Sequence, residues 1–280
     1  MKYTIKDFRK DFPDDGVCLD YLFRRRYGMI DDFRKFYRVR KRKCYAHSET
    51  GKQLHPLSGT IFHKSSTKLT DWFFAMFLFS QSKNGVSAKE LQRQLGVTYK
   101  CAYRMGQQIR KLMDGGKIKL GGIVEADEAY ISGKDSNRAS KDSQAGRSKT
   151  KPLALGMAER KGRVVSRIIP EADSYTLLNT LKQNVDVSAT LITDKWRGYN
   201  HADWHGYKHS TINHSKEYVS GNIHTNTIEG YFGLIKRSIK GTYIHISKHK
   251  LQNYLNEFSF VYNSRLSERH PFSLLIGKVI

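Results

Sequence analysis

A mixed α/β architecture is what this 280-residue chain predicts, on three observations. Two apolar runs, residues 122–131 and 189–194, read as strands, and each carries an acid, Asp127 and Asp194. A hairpin and a helix fall between them. Two further helical runs follow, over 226–236 and from about Ser247. Strand, hairpin, helix, strand, helix is the order of a mixed sheet flanked by helices. The residues ahead of Gly115 read as a mainly helical region.

Taken in order, a helix is expected from Val17 to about Arg26, after the turn residues Pro13-Asp-Asp-Gly. Residues 27–60 read as irregular, basic and turn-rich. Thr70 is a plausible N-cap for an aromatic helix over 71–80. Ser87-Ala-Lys-Glu90 has the capping-box spacing and opens a helix that should stop near Gly96. Thr98 then caps a third helix, about 99–113, with Ala102, Met105, Ile109 and Leu112 along one side. Two helices around a short glycine-containing turn are a helix-turn-helix candidate, or an ordinary helical hairpin.

The glycine-rich stretch 115–122 is the best domain boundary. The chain is read as three regions, 1–62, 63–116 and 117–280, the last opening at this boundary. After the Asp127 strand, residues 133–151, rich in Ser, Lys and Arg, read as a mobile loop. The runs 152–158 and 163–169 pair as a hairpin across Arg160-Lys-Gly162. Asp173 or Ser174 caps a helix through about Lys182. The last helix carries Leu251, Leu255, Phe258 and Tyr262 at helical spacing.

Composition narrows the function. Lys and Arg number 49 against 26 acids, a formal charge of +23, and such a surface attracts polyanions through counterion release. Three cysteines argue against a disulfide framework and suit a reducing compartment. The N-terminus has no signal-peptide pattern. The longest apolar run, 72–79, is far short of the roughly 20 residues a bilayer needs. A soluble, cytoplasmic protein with no membrane partner is expected.

The acids carry the chemistry. Phosphodiester cleavage at neutral pH needs an activated oxygen nucleophile and charge stabilisation on the leaving oxygen. Two divalent ions about 3.5–4 Å apart do both, and hard carboxylate oxygens hold them. Asp127 would bridge the two ions, with Asp194 on one and Glu229 on the other. Lys236 lies seven positions after Glu229, on nearly the same helix face and roughly 10 Å along the axis. Each acid taken alone is more often a strand-edge, turn or solvated helix residue. Glu125 shares a strand face with Asp127 and could be the ligand instead, whereas Glu128 faces the other way. Trp196, Arg197 and Tyr199 follow Asp194 closely. Arg197 suits a phosphate, while the two rings suit base stacking or core packing. Arg237 and Lys240 extend the basic face of Lys236, and His224 reads either as a structural hydrogen-bonder or as a group that orients a ligand or DNA.

Several linked motifs do more than spacing can. Val124-Glu-Ala-Asp-Glu-Ala-Tyr-Ile-Ser-Gly-Lys134, Thr193-Asp-Lys-Trp-Arg-Gly-Tyr199 and His224-Thr-Asn-Thr-Ile-Glu-Gly-Tyr-Phe-Gly-Leu-Ile-Lys-Arg237 resemble DDE transposases of bacterial insertion sequences. The subgroup is the one whose catalytic domain follows a zinc ribbon. Gly59-Thr-Ile-Phe-His63, the adjoining Trp72-Phe-Phe and the stretch 87–110 match it too, the last as its helix-turn-helix region.

The resemblance implies an RNase H-like fold, Mg²⁺ or Mn²⁺ as two ions per site, and cut-and-join chemistry at element ends. It implies metal binding at Asp127, Asp194 and Glu229 and DNA contact at Lys236, with Arg197, Arg237, Lys240 and Asn226 as further DNA-binding candidates. Some relatives use Asn at the third catalytic position, one turn before Glu229, where Asn226 stands here. Glu229 is the first choice. The partners implied are double-stranded DNA, both terminal inverted repeats and target, and further copies of the chain. The ribbon departs from the pattern: His47 and Thr50 stand where a second cysteine pair is expected, and 27–33 holds no cysteine. Zinc needs four tetrahedral ligands, so zinc is not expected, and the segment should fold through its aromatics. A transposase-derived DNA-binding protein without catalysis and a non-mobile RNase H-like nuclease are the rival readings.

Overall fold

A computed structural model describes residues 3–131, 151–212 and 223–280. All but the last residue of the loop expected over 133–151 lies outside the described residues. The chain resolves into two compact units, one of Met1–Ser82, Ala88–Leu112 and Glu268–Ile280, the other of Lys83–Ser87 and Met113–Ser267.

The first unit opens with α1 (Ile5–Asp11), closed by a Thr4–Asp7 capping box, and α2 (Asp15–Tyr27), capped by Asp14. A small antiparallel sheet follows, β1 (Phe36–Arg38), β2 (Tyr45–His47) and β3 (Gln53–Leu54), where the sequence predicted irregular chain. Strands this short carry no readable alternation. Ring packing supports them instead: Phe23 of α2 stacks on Tyr45 at 3.7 Å between centroids, and Phe36 meets the His47 ring edge-on at 5.0 Å. His47 Nδ1 accepts the Glu49 and Thr50 amides, each at 3.2 Å. Cys44 is buried with its Sγ 4.0 Å from Gln53 Oε1. Both residues therefore serve the turn and sheet.

The aromatic helix α3 spans Leu69–Gln81, and its N-cap is Lys68 rather than Thr70. The Thr70 amide and hydroxyl instead donate to Asp15 Oδ1, each at 3.0 Å, so an acid from α2 does the capping from a distance. Trp72, Phe73, Met76 and Phe79 are fully buried, as expected of a helix apolar all round. The candidate helix-turn-helix is α4 (Ala88–Leu95) and α5 (Tyr99–Leu112). Gly96 between them takes φ +65°, a conformation that suits glycine. Ala102, Met105 and Ile109 of α5 are fully buried.

In the second unit come β4 (Ile123–Tyr130), β5 (Leu153–Glu159), β6 (Val164–Ile169), α6 (Ser174–Asn184, capped by Asp173), β7 (Thr190–Asp194) and β8 (Lys208–Ile212). Then follow α7 (Asn226–Ser238) and α8 (Leu251–Ser264); α9 (Pro271–Ile276) returns to the first unit, within which it packs against α3. The sheet order is β6-β5-β4-β7-β8. β5 runs antiparallel to both β4 and β6, while β7 is parallel to β4 and β8 to β7. This is the mixed α/β sheet flanked by helices that the sequence predicts. β8 was not foreseen: its only buried residue is Ile212, and a polar edge strand leaves no apolar run to read.

The two faces of the sheet bury separate cores. Val124, Ala126, Leu155 and Leu191 pack with Leu177, Leu178 and Leu181 of α6. Ala129, Ala154 and Ala158 pack with Ile228, Phe232 and Ile235 of α7 and Leu255 and Phe258 of α8. α7 can lie close to the sheet because Gly156 of β5 has no side chain. A Cβ there would stand 2.6 Å from Ile228 Cδ1 and 2.7 Å from Phe232 Cζ.

Candidate active site

β4 and β7 are parallel neighbours with Glu125 opposite Ile192. Two residues farther along each strand stand Asp127 and Asp194, so alternation puts both acids on one face. That face is the one α7 covers, since their strand neighbours of opposite parity, Ala126 and Leu191, belong to the α6 core. α7 brings Glu229 and, two turns later, Lys236. The adjacent residue on the other side of Asp127 is Gly156, the position that admits α7.

Electrostatics tie these groups together. Asp127 is half-buried, and its Oδ1 accepts the Glu128 amide at 2.8 Å. Burial first, then the charge of Asp194 and more weakly that of Glu229, pushes its carboxyl up to about 6, with Lys236 pulling the other way. Asp194, also half-buried, accepts the Trp196 amide at 2.9 Å. Glu229 is exposed, and its Oε1 accepts the Thr225 hydroxyl at 2.7 Å. An excess of negative charge in a partly dry setting is what a hard divalent cation would relieve. Among the described residues no three His, Cys, Asp or Glu side chains already gather as a ready cluster around one point. Mg²⁺ keeps several waters and needs only one or two carboxylates, so the donor set fits it.

Glu125, the alternative ligand, has other work. It is fully buried and accepts the Thr227 amide at 2.7 Å, the Ile228 amide at 3.2 Å and the Thr227 hydroxyl at 3.0 Å. Its carboxylate thus caps the start of α7, where anions are favoured. Arg160 Nε donates to Glu125 Oε1 at 2.8 Å, and Arg160 Nη2 reaches the His224 carbonyl at 3.0 Å. His224 Nδ1 approaches the same Glu125 oxygen to 3.3 Å without the alignment of a hydrogen bond. Arg160 was missed in the sequence. The signal that could have found it is Glu125 itself, because an acid on a buried strand face demands a cation.

Glu128 points to the opposite face, as alternation requires. The Tyr199 hydroxyl donates to its Oε2 at 2.7 Å. Burial and then the Asp194 and Asp127 charges push its carboxyl up to about 7, against that hydrogen bond. Tyr199 and Trp196 are structural: Tyr199 is fully buried, and Trp196 donates through Nε1 to the Ala172 carbonyl at 3.0 Å. Arg197, Lys195, Arg237, Lys240 and Asn226 are all exposed. Arg197 begins the short turn after Asp194, and Asn226 is the first residue of α7. Lys236 is the basic residue whose charge reaches Asp127. No described helix is long and apolar enough to cross a membrane.

The model of the ISXO2-like transposase domain family matches residues 119–263. An uncharacterized protein in transposable element ISH50 of Halobacterium salinarum is 27% identical over 236 residues, covering 79% of this chain and 78% of that protein. An uncharacterized transposase-like protein of Haemophilus influenzae is 27% identical over 104 residues, covering 37% of this chain and 84% of its own length.

Proposed function

The chain belongs to the ISXO2-like family of DDE transposases, and from that premise we propose that it binds the ends of an insertion sequence, cuts the DNA there and joins the freed 3′-hydroxyl ends to target DNA. The observation that carries the reading is the charge-coupled set of Asp127, Asp194 and Glu229 on β4, β7 and α7, with Lys236 on the same helix as Glu229. Divalent cations, when held by these three carboxylates, would supply Lewis-acid activation of the attacking oxygen and charge relief on the leaving one.

The chain's own residues do the positioning. Asp127 and Asp194 are fixed by neighbouring strands and by amides of Glu128 and Trp196, so their oxygens need little reorganisation. Glu229 is steadied by Thr225 and carried on a helix whose start is clamped by Glu125. Lys236, with Arg237 and Lys240 beside it in sequence and Arg197 in the turn after Asp194, would hold scissile and flanking phosphates, and Asn226 would line the same groove. The exposed side of α5, with Lys100, Tyr103 and Arg104, suits recognition of the terminal repeats. Two ends must be joined, so several copies of the chain would assemble on DNA.

The test is direct. Purified protein is incubated with the DNA flanking its gene and Mg²⁺ or Mn²⁺, beside Asp127→Asn. Cuts at discrete ends followed by strand transfer, absent in the variant, are expected. Specific end binding with no cut under either ion would replace this reading with a binding-only protein. Cleavage governed by DNA structure, without need of terminal repeats, would replace it with a nuclease.

A further inference from the structure

We propose that the groove between α6 and the turn at 201–205 is a stacking platform for unpaired bases of single-stranded DNA. The segment after Asp194 is rich in aromatics, but Trp196 and Tyr199 are committed to the core. The ring left over is Trp204, which is 81% exposed. Across the groove Tyr175 of α6 is equally exposed at 81%. His201 lies against Trp204 with ring centroids 4.3 Å apart and planes tilted by 34°. Leu178, Asn179 and Lys182, with Ser174 and His205, complete a lining that contains no carboxylate, around a volume of about 390 Å³.

Two large exposed rings lining one groove form a shared apolar patch, the kind of surface that marks an interaction site. The chemistry of the lining says what it would bind. Flat aromatic faces with a nearby cation and no acid are the features of sequence-tolerant single-strand binding, where each base contributes a π-face and the backbone a negative charge. Tyr175, Asn179 and Lys182 follow one face of α6 at i, i+4 and i+7, so rings, an amide for a base edge and an ammonium for a phosphate succeed one another along one line. The +23 charge of the chain favours a polyanion over a protein surface. Leu178 is the only aliphatic side chain in the lining, fewer than a protein interface core would offer. Transposition as proposed above would provide unpaired strands at the cut ends, and the identity of the polymer rests on that reading.

The experiment measures binding of the full chain to a labelled single-stranded oligothymidylate and to a duplex of equal length, by fluorescence anisotropy at fixed salt. Trp204→Ala and Tyr175→Ala should each weaken single-strand binding by about fivefold or more, with Trp204→Phe retaining most of it. Duplex affinity should change by less than about twofold, since paired bases offer no free faces. Both positions are exposed, so thermal stability should be unchanged, which checks folding. Equal losses on both DNAs, or no loss on either, would overturn the proposal. So would an oligomer that dissociates in Trp204→Ala while single-strand affinity is kept, since the groove would then be a face between copies. A chain that never cuts DNA yet binds single strands through Trp204 would sink the transposase reading and leave this one standing.

Discussion

Glu125 and Asp127 are two carboxylates on one face of one strand, two residues apart, and the fold treats them oppositely. Around Glu125 every direction supplies a donor: two amides and a hydroxyl of α7 and the guanidinium of Arg160. Around Asp127 one amide donates, and the facing groups are two further acids, with Lys236 the opposing charge. The first region holds α7 to the sheet. The second leaves charge uncompensated at the place that α7 overhangs. A strand face can therefore carry a structural acid and a functional acid side by side, distinguished by what comes to meet each one.

The contrast can be broken most severely at Glu125. Glu125→Ala takes the carboxylate away from Arg160 and uncaps α7, and should cost about 3–5 kcal/mol of folding stability in a urea titration. Glu125→Gln, which keeps the acceptor but not the charge, should cost less. Equal, negligible losses in both would mean that the clamp is not what secures α7. Gly156→Ala comes next. The added methyl meets Ile228 and Phe232, so a loss of about 1–3 kcal/mol is expected, with a fall in cleavage; unchanged stability and activity would show that α7 has slack over β5.

Asp127→Asn should act in the other direction. The Asp127 carboxyl is raised in the fold to about 6 from its ordinary 3.8, so the folded protein holds that proton more tightly than the unfolded chain. Its contribution to stability is present below about pH 4 and is lost as pH rises through about 6. The variant should therefore melt higher than the wild type at pH 7.5, with the difference closing toward pH 4. Added Mg²⁺ should raise the melting temperature of the wild type and not of Asp127→Asn. A variant less stable than wild type at pH 7.5 would make Asp127 a structural acid like Glu125. The smallest effect is expected at Thr225→Val, which removes one hydroxyl from Glu229 and should cost about 0.5–1.5 kcal/mol; if cleavage is untouched, Glu229 needs no such steadying.

These two regions were unequally legible in the sequence. The strands bearing Asp127 and Asp194 stand out as apolar runs near glycines or polar turns, and the α7 motif is contiguous, so the acids could be named and assigned to elements. The clamp could not. Arg160 sits in a hairpin turn 35 residues from Glu125 and Thr227 lies 102 residues away, and no local pattern encodes such a meeting. The same reason hid the Asp15 cap on α3, an acid 55 residues from the threonine it serves. Short elements failed differently: β1 to β3 and β8 are too brief or too polar for period-two reading, and ring packing or the sheet edge holds them instead. Trp196, Tyr199 and Trp204 share one aromatic-rich segment, and only burial separates the core rings from the exposed one.

Gly156 supplies no ligand atom, yet from beside Asp127 it sets the gap between the sheet and the helix that bears Glu229. It works as a spacer gauge: a single methyl there would widen the jaws without altering any donor atom. Mg²⁺ demands short, near-octahedral oxygen contacts, whereas a larger, more tolerant ion such as Ca²⁺ accepts longer ones. On the proposed reading, the choice of ion would then be calibrated by a residue that carries no charge and no side chain.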